Sequence, residues 1–349
     1  MTSVARVETW SPPPEVAPLR DGALAFLEQD WDDELALFSF STRLRNGLLV
    51  RDYTHPQTRR YTINSLLGLQ ATGMPGTERL VDRFGARHSE ALRSPADVGL
   101  LTVLHCEGGR RAPLYALARA AEGRNLDMQD LSWLLWGACA AGAADIAHSL
   151  FRRIDDEYVH PVTLLPRHTL SRYRSRIVSF GSLVYFLRAV REYSRAFDDE
   201  RAATLFARGI DTALALQGPA GEWPWMIDVA TGRAFDLYPV FAVHQDSMAM
   251  LFLLPALADG DMRVAAAIDR SLAWTSGAND LHIAMTTREP SFLAYRSIER
   301  REAVPKLRRY GRFALQRTAA PVPPHRLRLN PECRSYHLGW VLYAWSGAG

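Results

Sequence analysis

The sequence predicts an all-α fold of paired helices with two small β-hairpins. Three observations favour this class. Apolar residues recur at helical spacing through most of the chain after residue 58, the helical stretches follow one another in pairs, and only two stretches read as strand hairpins. The chain has 349 residues, of which 48% are hydrophobic and 23% charged, as is typical of a globular protein.

The helical stretches are expected to form helical hairpins. Five pairs follow in chain order: 59–72 with 77–92, 96–105 with 113–121, 127–140 with 144–155, 173–197 with 200–216, and 246–257 with 262–275. A final helix at 336–345 would pair with the first one at 19–29. Six hairpins are the number that a closed α/α toroid requires, with five or seven as the alternatives. N-caps are expected at Asp127 and Asp246, and Pro95 precedes a helix start.

The remaining parts of the chain set its organisation. Residues 1–18 are polar and rich in proline and are predicted to be a loose arm before a single domain at 19–349. Residues 158–172 and 279–330 contain few apolar periods and several prolines, which indicates functional loops. Residues 35–53 predict a β-hairpin, because Asn46-Gly47 is the strongest turn signal in the sequence.

Composition and the N-terminal stretch limit the expected cellular compartment and the expected binding partners. The start has no apolar signal region, no apolar run reaches the ~18 residues of a membrane span, and three scattered cysteines give no disulfide framework. A cytoplasmic protein without a membrane span is therefore expected. All but one of the 41 basic residues are arginine, but the net charge is only +3, which gives no electrostatic basis for a nucleic-acid partner.

The segment at 217–250 concentrates aromatic and acidic side chains between two helical stretches. Residues 225–229 and 233–240 predict two strands around a Thr231-Gly232 turn. In that register Trp225 would face Tyr238 and Ile227 would face Asp236, and alternation would place on one face Trp223, Trp225, Asp236 and Tyr238. Flat aromatic rings beside carboxylates suit a sugar ring. The alternative is that the tryptophans fill a core and the acids are solvated.

The same segment resembles a known motif. Gln217, Gly221 and Trp223 match the Q-x3-G-x-W (QW) motif of squalene and terpene cyclases, and the loop is similar to a G-x-W-P-like loop of six-hairpin glycan-processing enzymes. The resemblance implies an α/α-toroid enzyme of the glycosidase-like or terpenoid cyclase-like superfamily. It covers only a few residues and does not specify a substrate.

A second resemblance supports a different function. Asp30-Trp31-Asp32-Asp33 resembles the D-x-D-D acid motif of class II terpene cyclases, which implies that Asp32 would protonate an alkene or epoxide. Those enzymes place this acid between two barrel domains, and this chain has room for about one. The alternative interpretation is a solvated acidic turn.

Motifs for cofactors and metals are missing from the sequence. It contains no phosphate-binding or dinucleotide-binding glycine motif and no HExxH or GxSxG. His105-Cys106 and Cys333-x3-His337 are the only zinc-like pairs, and neither has a second pair nearby. We therefore predict neither a metal nor a cofactor.

Acid–base chemistry remains, with candidates in two places. His244 follows the central hairpin and titrates near neutrality, and paired carboxylates are what glycoside cleavage normally uses. Before the last helix, Arg334 would hold a carboxylate. The predicted catalytic residues are His244, Asp236, Tyr238, Glu222 and His337, and the predicted substrate-binding residues are Trp223, Trp225, Asp228, Gln245, Arg334, Tyr336 and Arg60. Both groups are expected to meet at one open end of the barrel.

The sequence thus predicts an enzyme that acts on a small-molecule or glycan substrate, with a uronic-acid glycan as one candidate, by hydrolysis, elimination or epimerisation. The alternatives are a class II terpene-cyclase-like enzyme and a non-catalytic glycan- or protein-binding scaffold.

Overall fold

The fold is mostly helical in a computed structural model that describes residues 10–172, 174–302 and 305–347. Its helices are α1 (Val16–Asp30), α2 (Thr58–Ala71), α3 (Thr77–His88), α4 (Pro95–Glu107), α5 (Leu114–Ala121), α6 (Met128–Ala140), α7 (Ala144–Arg153), α8 (Phe180–Phe197), α9 (Glu200–Leu216), α10 (Met250–Ala258), α11 (Ala265–Thr275), α12 (Pro305–Ala314) and α13 (Ser335–Ala344). No helix within these ranges is long and apolar enough to cross a membrane.

Six helices form a closed inner ring. Each of α2, α4, α6, α8, α10 and α13 contacts the next, and α13 returns to contact α2. The outer helices α3, α5, α7, α9 and α11 each pack against the inner helix that precedes them, and α1 packs against α13. The prediction of an α/α toroid with six helical hairpins is therefore confirmed. Residues 1–9 of the predicted arm lie outside the described residues, and α1 begins at Val16.

Burial distinguishes the two rings. The inner helix α13 buries seven of its ten residues, including His337 and Trp340, whereas the outer helix α3 buries four of twelve. An amphipathic outer helix needs only one apolar stripe, while an inner helix is enclosed on nearly all sides. Inner helices therefore tolerate polar residues only where these find partners or line a cavity.

Glycines allow the inner helices to approach closely. Gly68 in α2 lies against the backbone of Gly339 in α13, and a Cβ atom on Gly339 would lie 2.5 Å from the carbonyl oxygen of Asn64. Between α4 and α6, a Cβ atom on Gly99 would lie 2.5 Å from the carbonyl carbon of Trp133. Only glycine fits at these contacts, since the obstructing atoms are backbone atoms that cannot rotate away.

The four long connections, 31–57, 154–179, 217–243 and 276–334, all lead from an outer helix to the inner helix that follows. They therefore gather at the end of the ring where the inner helices begin. They carry the small sheets, formed by β1 (Ser41–Arg45), β2 (Leu48–Asp52), β3 (Ile177–Ser179), β4 (Met226–Asp228), β5 (Arg233–Asp236), β6 (Val240–Phe241), β7 (Thr286–Thr287), β8 (Leu293–Ala294), β9 (Ser297–Arg300) and β10 (Leu327–Asn330).

The first predicted hairpin is present as β1 and β2. Arg45 pairs with Leu48, and the intervening Asn46 and Gly47 have positive φ values of 51° and 78°. These are the angles that make Asn-Gly the preferred two-residue hairpin turn.

The register predicted for the central hairpin is wrong. Met226, not Ile227, pairs with Asp236, because a bulge lies between Met226 and Ile227. The connection is longer than the predicted turn, since Gly232 N–H donates to the carbonyl oxygen of Asp228 and closes a wider loop. The strand β4 also pairs with β3 on its other side, which the sequence analysis did not anticipate.

Three further expectations differ from the structure. The helix expected at 173–197 begins at Phe180, because 177–179 are held in β3; residue 173 itself lies outside the described residues. The region at 279–330 is not an extended loop but contains α12 and four strands. Asp246 is not an N-cap, because it lies inside a π-helical turn, His244–Met248, that leads into α10.

Gly339→Ala should lower the free energy of unfolding by about 1–3 kcal/mol, because the new methyl group would meet the backbone of α2. Gly85→Ala in α3 is the control: its Cβ would meet only the Ser89 hydroxyl at 3.7 Å. That change should raise stability by up to ~1 kcal/mol through helix propensity. Urea denaturation measures both, and equal effects would contradict the close-approach interpretation.

Candidate active site

A cavity of about 210 Å³ opens where the inner helices begin. Its wall includes Arg60 and Tyr61 from the first turn of α2, Trp133 from α6, Ser182 and Tyr185 from α8, and Tyr336 from α13. Because the N-terminus of each helix carries a partial positive charge, helices that converge in this way favour a bound anion.

Aromatic rings form much of the cavity wall. Tyr61 and Tyr336 lie with ring centroids 4.4 Å apart, and Trp133 meets the ring of Tyr185 edge-on at 4.8 Å. Trp225, from the loop before β4, stacks on the His244 ring at 5.9 Å. Rings of this kind can stack on the C–H faces of a sugar.

Two arginines that line the cavity differ in how fully their guanidinium groups are paired. Arg60 is engaged, since its Nε donates to Asp97 and its Nη2 to Ser94. Arg296 is freer: about a third of its side chain is exposed, and its guanidinium lies 5.5 Å from the centre of the Phe241 ring. Its nearest carboxylate oxygen, on Glu332, is 3.6 Å from Nη1. Arg296 is therefore the cation best placed to meet an anionic group in the cavity.

Glu332 neutralises only part of a local excess of positive charge. Its carboxylate pairs with Arg43 at 2.7 Å, with Arg334 and with Arg296. Burial alone would raise the pKa of Glu332, but the hydrogen bond from Arg43 and the charges of Arg334 and Arg296 lower it overall. Arg334 is buried over the Phe40 ring, 3.7 Å from its centre. Three arginines thus share one carboxylate beside the cavity.

His244 lines the cavity as a neutral imidazole. Burial, reinforced by the nearby His337, lowers the pKa of His244 to about 3. Its Nε2 faces Gly181, where a Cβ atom would lie 3.6 Å away. Among the described residues, its buried Nδ1 has no hydrogen-bond partner. His244 therefore carries no charge near neutral pH, and its ring can donate one hydrogen bond and accept another.

His337 and Asp246 form a buried pair behind this wall. His337 Nε2 donates to Asp246 Oδ1 at 2.7 Å, and the indole N–H of Trp345 donates to the Asp246 carbonyl oxygen at 2.7 Å. Neither His337 nor Asp246 lines the cavity. The pair fastens α13 to the π-helical turn at 244–248.

Two carboxyl groups stand at the starts of neighbouring inner helices, Asp97 in α4 and Asp130 in α6. The backbone N–H of Ala96 donates to Asp130 Oδ1 at 3.1 Å, so the two helix starts are joined. Burial raises the pKa of Asp130, and the charge of Asp127 raises it further. Asp97 is held by Arg60, which lines the cavity.

Sequence reasoning missed Asp97 and Asp130 because both look like ordinary first-turn acids. Asp130 forms a capping box with Asp127, in which each side chain accepts the other's backbone N–H. The available signal was the placement of both acids in the first turn of an apolar, inner-type helix. Gln129 and Trp133, on either side of Asp130, line the cavity.

Four of the twelve predicted site residues lie on the cavity, namely Arg60, Trp225, His244 and Tyr336. The proposed single face of Trp223, Trp225, Asp236 and Tyr238 does not form. Trp223 is fully buried and donates its indole N–H to Ser271, while the Gln217 amide of the same motif donates to the carbonyl oxygens of Gly221 and Ala267. The QW residues thus tie this loop to α11.

The other predicted residues are occupied elsewhere. Asp236 is buried between Arg300 and Arg309, and Tyr238 donates its hydroxyl hydrogen to Asp280. Glu222 is buried and accepts the backbone N–H of Ala220, which orders the turn that it belongs to. Asp228 pairs with Arg176, and the buried Gln245 donates to the Phe241 carbonyl oxygen.

The acidic run at 30–33 also lies away from the cavity. Asp30 is buried, accepts hydrogen bonds from Ser39 and Arg51, and has its pKa raised by burial to about 6. Asp32 accepts the Leu35 N–H and orders a turn. These contacts connect α1 to the first hairpin. In the part of the chain that the structure describes, no cluster of three or more His, Cys, Asp or Glu side chains could hold a metal ion.

Comparison with solved structures identifies the fold. The chain is similar to the unsaturated glucuronyl hydrolases of Streptococcus agalactiae (12% identity, TM-score 0.60, covering 95% of this chain and 91% of that one) and Bacillus sp. GL1 (12%, 0.60, 94% and 95%). It is also similar to a possible member of the GH105 family from Salmonella enterica (12%, 0.61, 99% and 99%). No family model and no curated protein matches the sequence. These likenesses show the α/α-toroid fold alone.

Asp246→Ala should lower the free energy of unfolding by ~3 kcal/mol, because it leaves the buried His337 without its partner. Asp211→Ala, which removes an exposed partner of Arg263, should cost less than about 1 kcal/mol. Thermal unfolding compares the two variants. Similar small losses in both would show that the buried pair does not stabilise the ring.

Proposed function

We propose that this chain is a glycan hydrolase that removes a terminal unsaturated uronic acid bound in the central cavity. The observation that carries the proposal is the pair of carboxyl groups, Asp97 and Asp130, at adjoining helix starts. Neither carboxyl group lines the cavity itself, but Arg60, which holds Asp97, and Gln129 and Trp133, on either side of Asp130, do. The likeness in fold to proteins named unsaturated glucuronyl hydrolases supports the same substrate class.

Asp130 is the proposed proton donor. Glycan hydrolysis needs a group that delivers a proton to the substrate and one that assists water. Burial and the neighbouring Asp127 raise the pKa of Asp130, so it keeps its proton to a higher pH than an ordinary aspartate. Asp97, paired with Arg60, is the proposed partner that orients water.

The other cavity residues are better suited to binding than to proton transfer. Burial raises the pKa of Tyr61, Tyr185 and Tyr336, so all three remain protonated hydrogen-bond donors. His244 is neutral. Elimination or epimerisation would require a strong base that removes a proton from carbon, and these four groups do not supply one. The site therefore favours hydrolysis over the other two reactions.

Arg296 is the proposed partner of the uronate carboxylate. It lines the cavity beside the incompletely neutralised arginine group, and the convergent helix starts add to the attraction for an anion. Trp225 and Tyr336 would pack against the sugar ring. This assignment replaces Arg334 as the carboxylate ligand, because Arg334 is buried between Phe40 and Glu332.

Asp130→Asn should reduce kcat on a glycosaminoglycan disaccharide with an unsaturated glucuronyl end by roughly 10²- to 10⁴-fold, the scale of a lost general acid. Loss of the ultraviolet absorbance of the substrate's conjugated C=C bond measures turnover. Asp145→Asn, which changes an acid in the first turn of the outer helix α7, is the control. If the wild-type chain binds this disaccharide but does not hydrolyse it, the result would instead support a non-catalytic glycan-binding scaffold.

Asp127→Asn should move the alkaline limb of the kcat profile to lower pH. Asparagine still accepts the N-cap hydrogen bond, but its neutral side chain no longer raises the pKa of Asp130. The proton donor would then ionise earlier as the pH rises. A limb that stays in place, or moves to higher pH, would argue against Asp130 as the donor.

A further inference from the structure

A second concave site lies beside the sheet formed by β3, β4 and β5. We call it the β5–α12 groove and define it by the six residues Arg176, Asp228, Arg233, Phe235, Phe313 and Arg317. Its volume is about 130 Å³. None of its lining residues lines the central cavity.

The floor of the groove is aromatic. Phe235 in β5 and Phe313 in α12 lie with ring centroids 5.0 Å apart and are tilted by 55°. The guanidinium of Arg176 lies 5.3 Å from the centre of the Phe313 ring. Arg312 helps to hold this floor in place, since it donates to the carbonyl oxygens of Phe235 and Thr318.

The rim carries an excess of positive charge. Among the described residues that line it, Asp228 is the one carboxylate, and it is already used by Arg176 and by the backbone N–H of Ala230. Arg233 and Arg317 are exposed, and their guanidinium groups form no hydrogen bond or ion pair with another described residue. Burial lowers the pKa of Arg312 beneath the groove, and neighbouring arginines, among them Arg300 and Arg317, lower it further.

The sheet connects the groove to the cavity. Arg176, the residue before β3, lines the groove, and Ser179, the last residue of β3, lines the cavity. In β4, which pairs antiparallel with β3, the last residue, Asp228, lines the groove, and Trp225, the residue before the strand, lines the cavity. Three residues of extended strand span ~10 Å, so the residues of β3 and β4 that line the two sites are close in the chain.

From these observations we infer that the β5–α12 groove binds an anionic sugar unit, through stacking on Phe313 and contacts from Arg233 and Arg317 to a carboxylate or sulfate. The unit would belong to the same glycan whose terminal residue occupies the cavity. This inference rests on the proposed function, and it specifies a glycan substrate that carries negative charge beyond its terminal unit. Arginine suits this task because its planar fork matches carboxylate and sulfate oxygens.

The test measures binding by isothermal titration calorimetry to the full chain carrying Asp130→Asn, so that no turnover occurs. The probe is a glycosaminoglycan hexasaccharide with an unsaturated glucuronyl end. Adding Arg233→Ala and Arg317→Ala should weaken binding roughly tenfold, equivalent to about 1.4 kcal/mol, and should reduce the salt dependence. Adding Arg208→Ala, which removes an exposed arginine of the outer helix α9, should leave the affinity unchanged.

The stoichiometry identifies the source of the bound unit. One hexasaccharide per chain supports a single glycan that bridges cavity and groove, whereas two per chain overturn the bridging part and leave an independent glycan site. Unchanged affinity in the Arg233/Arg317 variant overturns the groove itself. Tighter binding of single-stranded DNA than of the glycan, with the same arginine dependence, would replace the sugar with a phosphate polymer.

The groove and the proposed hydrolysis can fail separately. If the wild-type chain does not hydrolyse the disaccharide but the hexasaccharide still binds through Arg233 and Arg317, the groove stands and the proposed function falls. If turnover is observed but the arginine substitutions have no effect on hexasaccharide binding, the proposed function stands and the groove falls. Circular dichroism of each variant checks that the fold is retained.

Discussion

The close approach of the inner helices is the constraint on which the rest of the structure depends. At Gly68 and Gly339, and again at Gly99 and Gly137, backbone meets backbone, with no room for a Cβ atom. These contacts fix neighbouring inner helices at their smallest separation and allow α13 to close onto α2. A ring closed in this way makes the inner helices begin together at one end, and the long connections then meet above that opening.

The electrostatics of the opening follow from that closure. Helix starts that converge leave partial positive charges facing one cavity, and arginines from distant parts of the sequence add full charges there. Arg43, Arg296 and Arg334 surround the single carboxylate of Glu332, although Arg43 and Glu332 are 289 positions apart. Arg334 and Glu332 are buried, whereas about half of the Arg43 side chain and a third of the Arg296 side chain stay exposed. Three positive charges around one negative charge leave a net positive potential beside the cavity.

Local patterns in the sequence could predict the fold, but they could not predict most of the site. Helical periods and the Asn46-Gly47 turn are local properties, and they indicated the paired helices and the first hairpin correctly. The partners of Asp236, Asp246 and His337 depend on contacts across the ring, which no local spacing reveals. The bulge at Met226 changed which side chains share a face, so a correct hairpin still gave a wrong set of neighbours. The helix α12 was missed because residues 279–330 contain few apolar periods and several prolines.

Asp130 shows why a structural and a chemical role need not be alternatives. Its capping box with Asp127 is a helix-start device, and the sequence alone gives no reason to expect more of it. The same device brings two carboxyl groups together at the start of an inner helix, where burial also acts, and both influences raise the pKa of Asp130. On an outer helix, solvent would remove most of this effect. Asp130 is therefore a candidate proton donor because its cap lies at the start of an inner helix. Its local sequence is that of an ordinary helix cap.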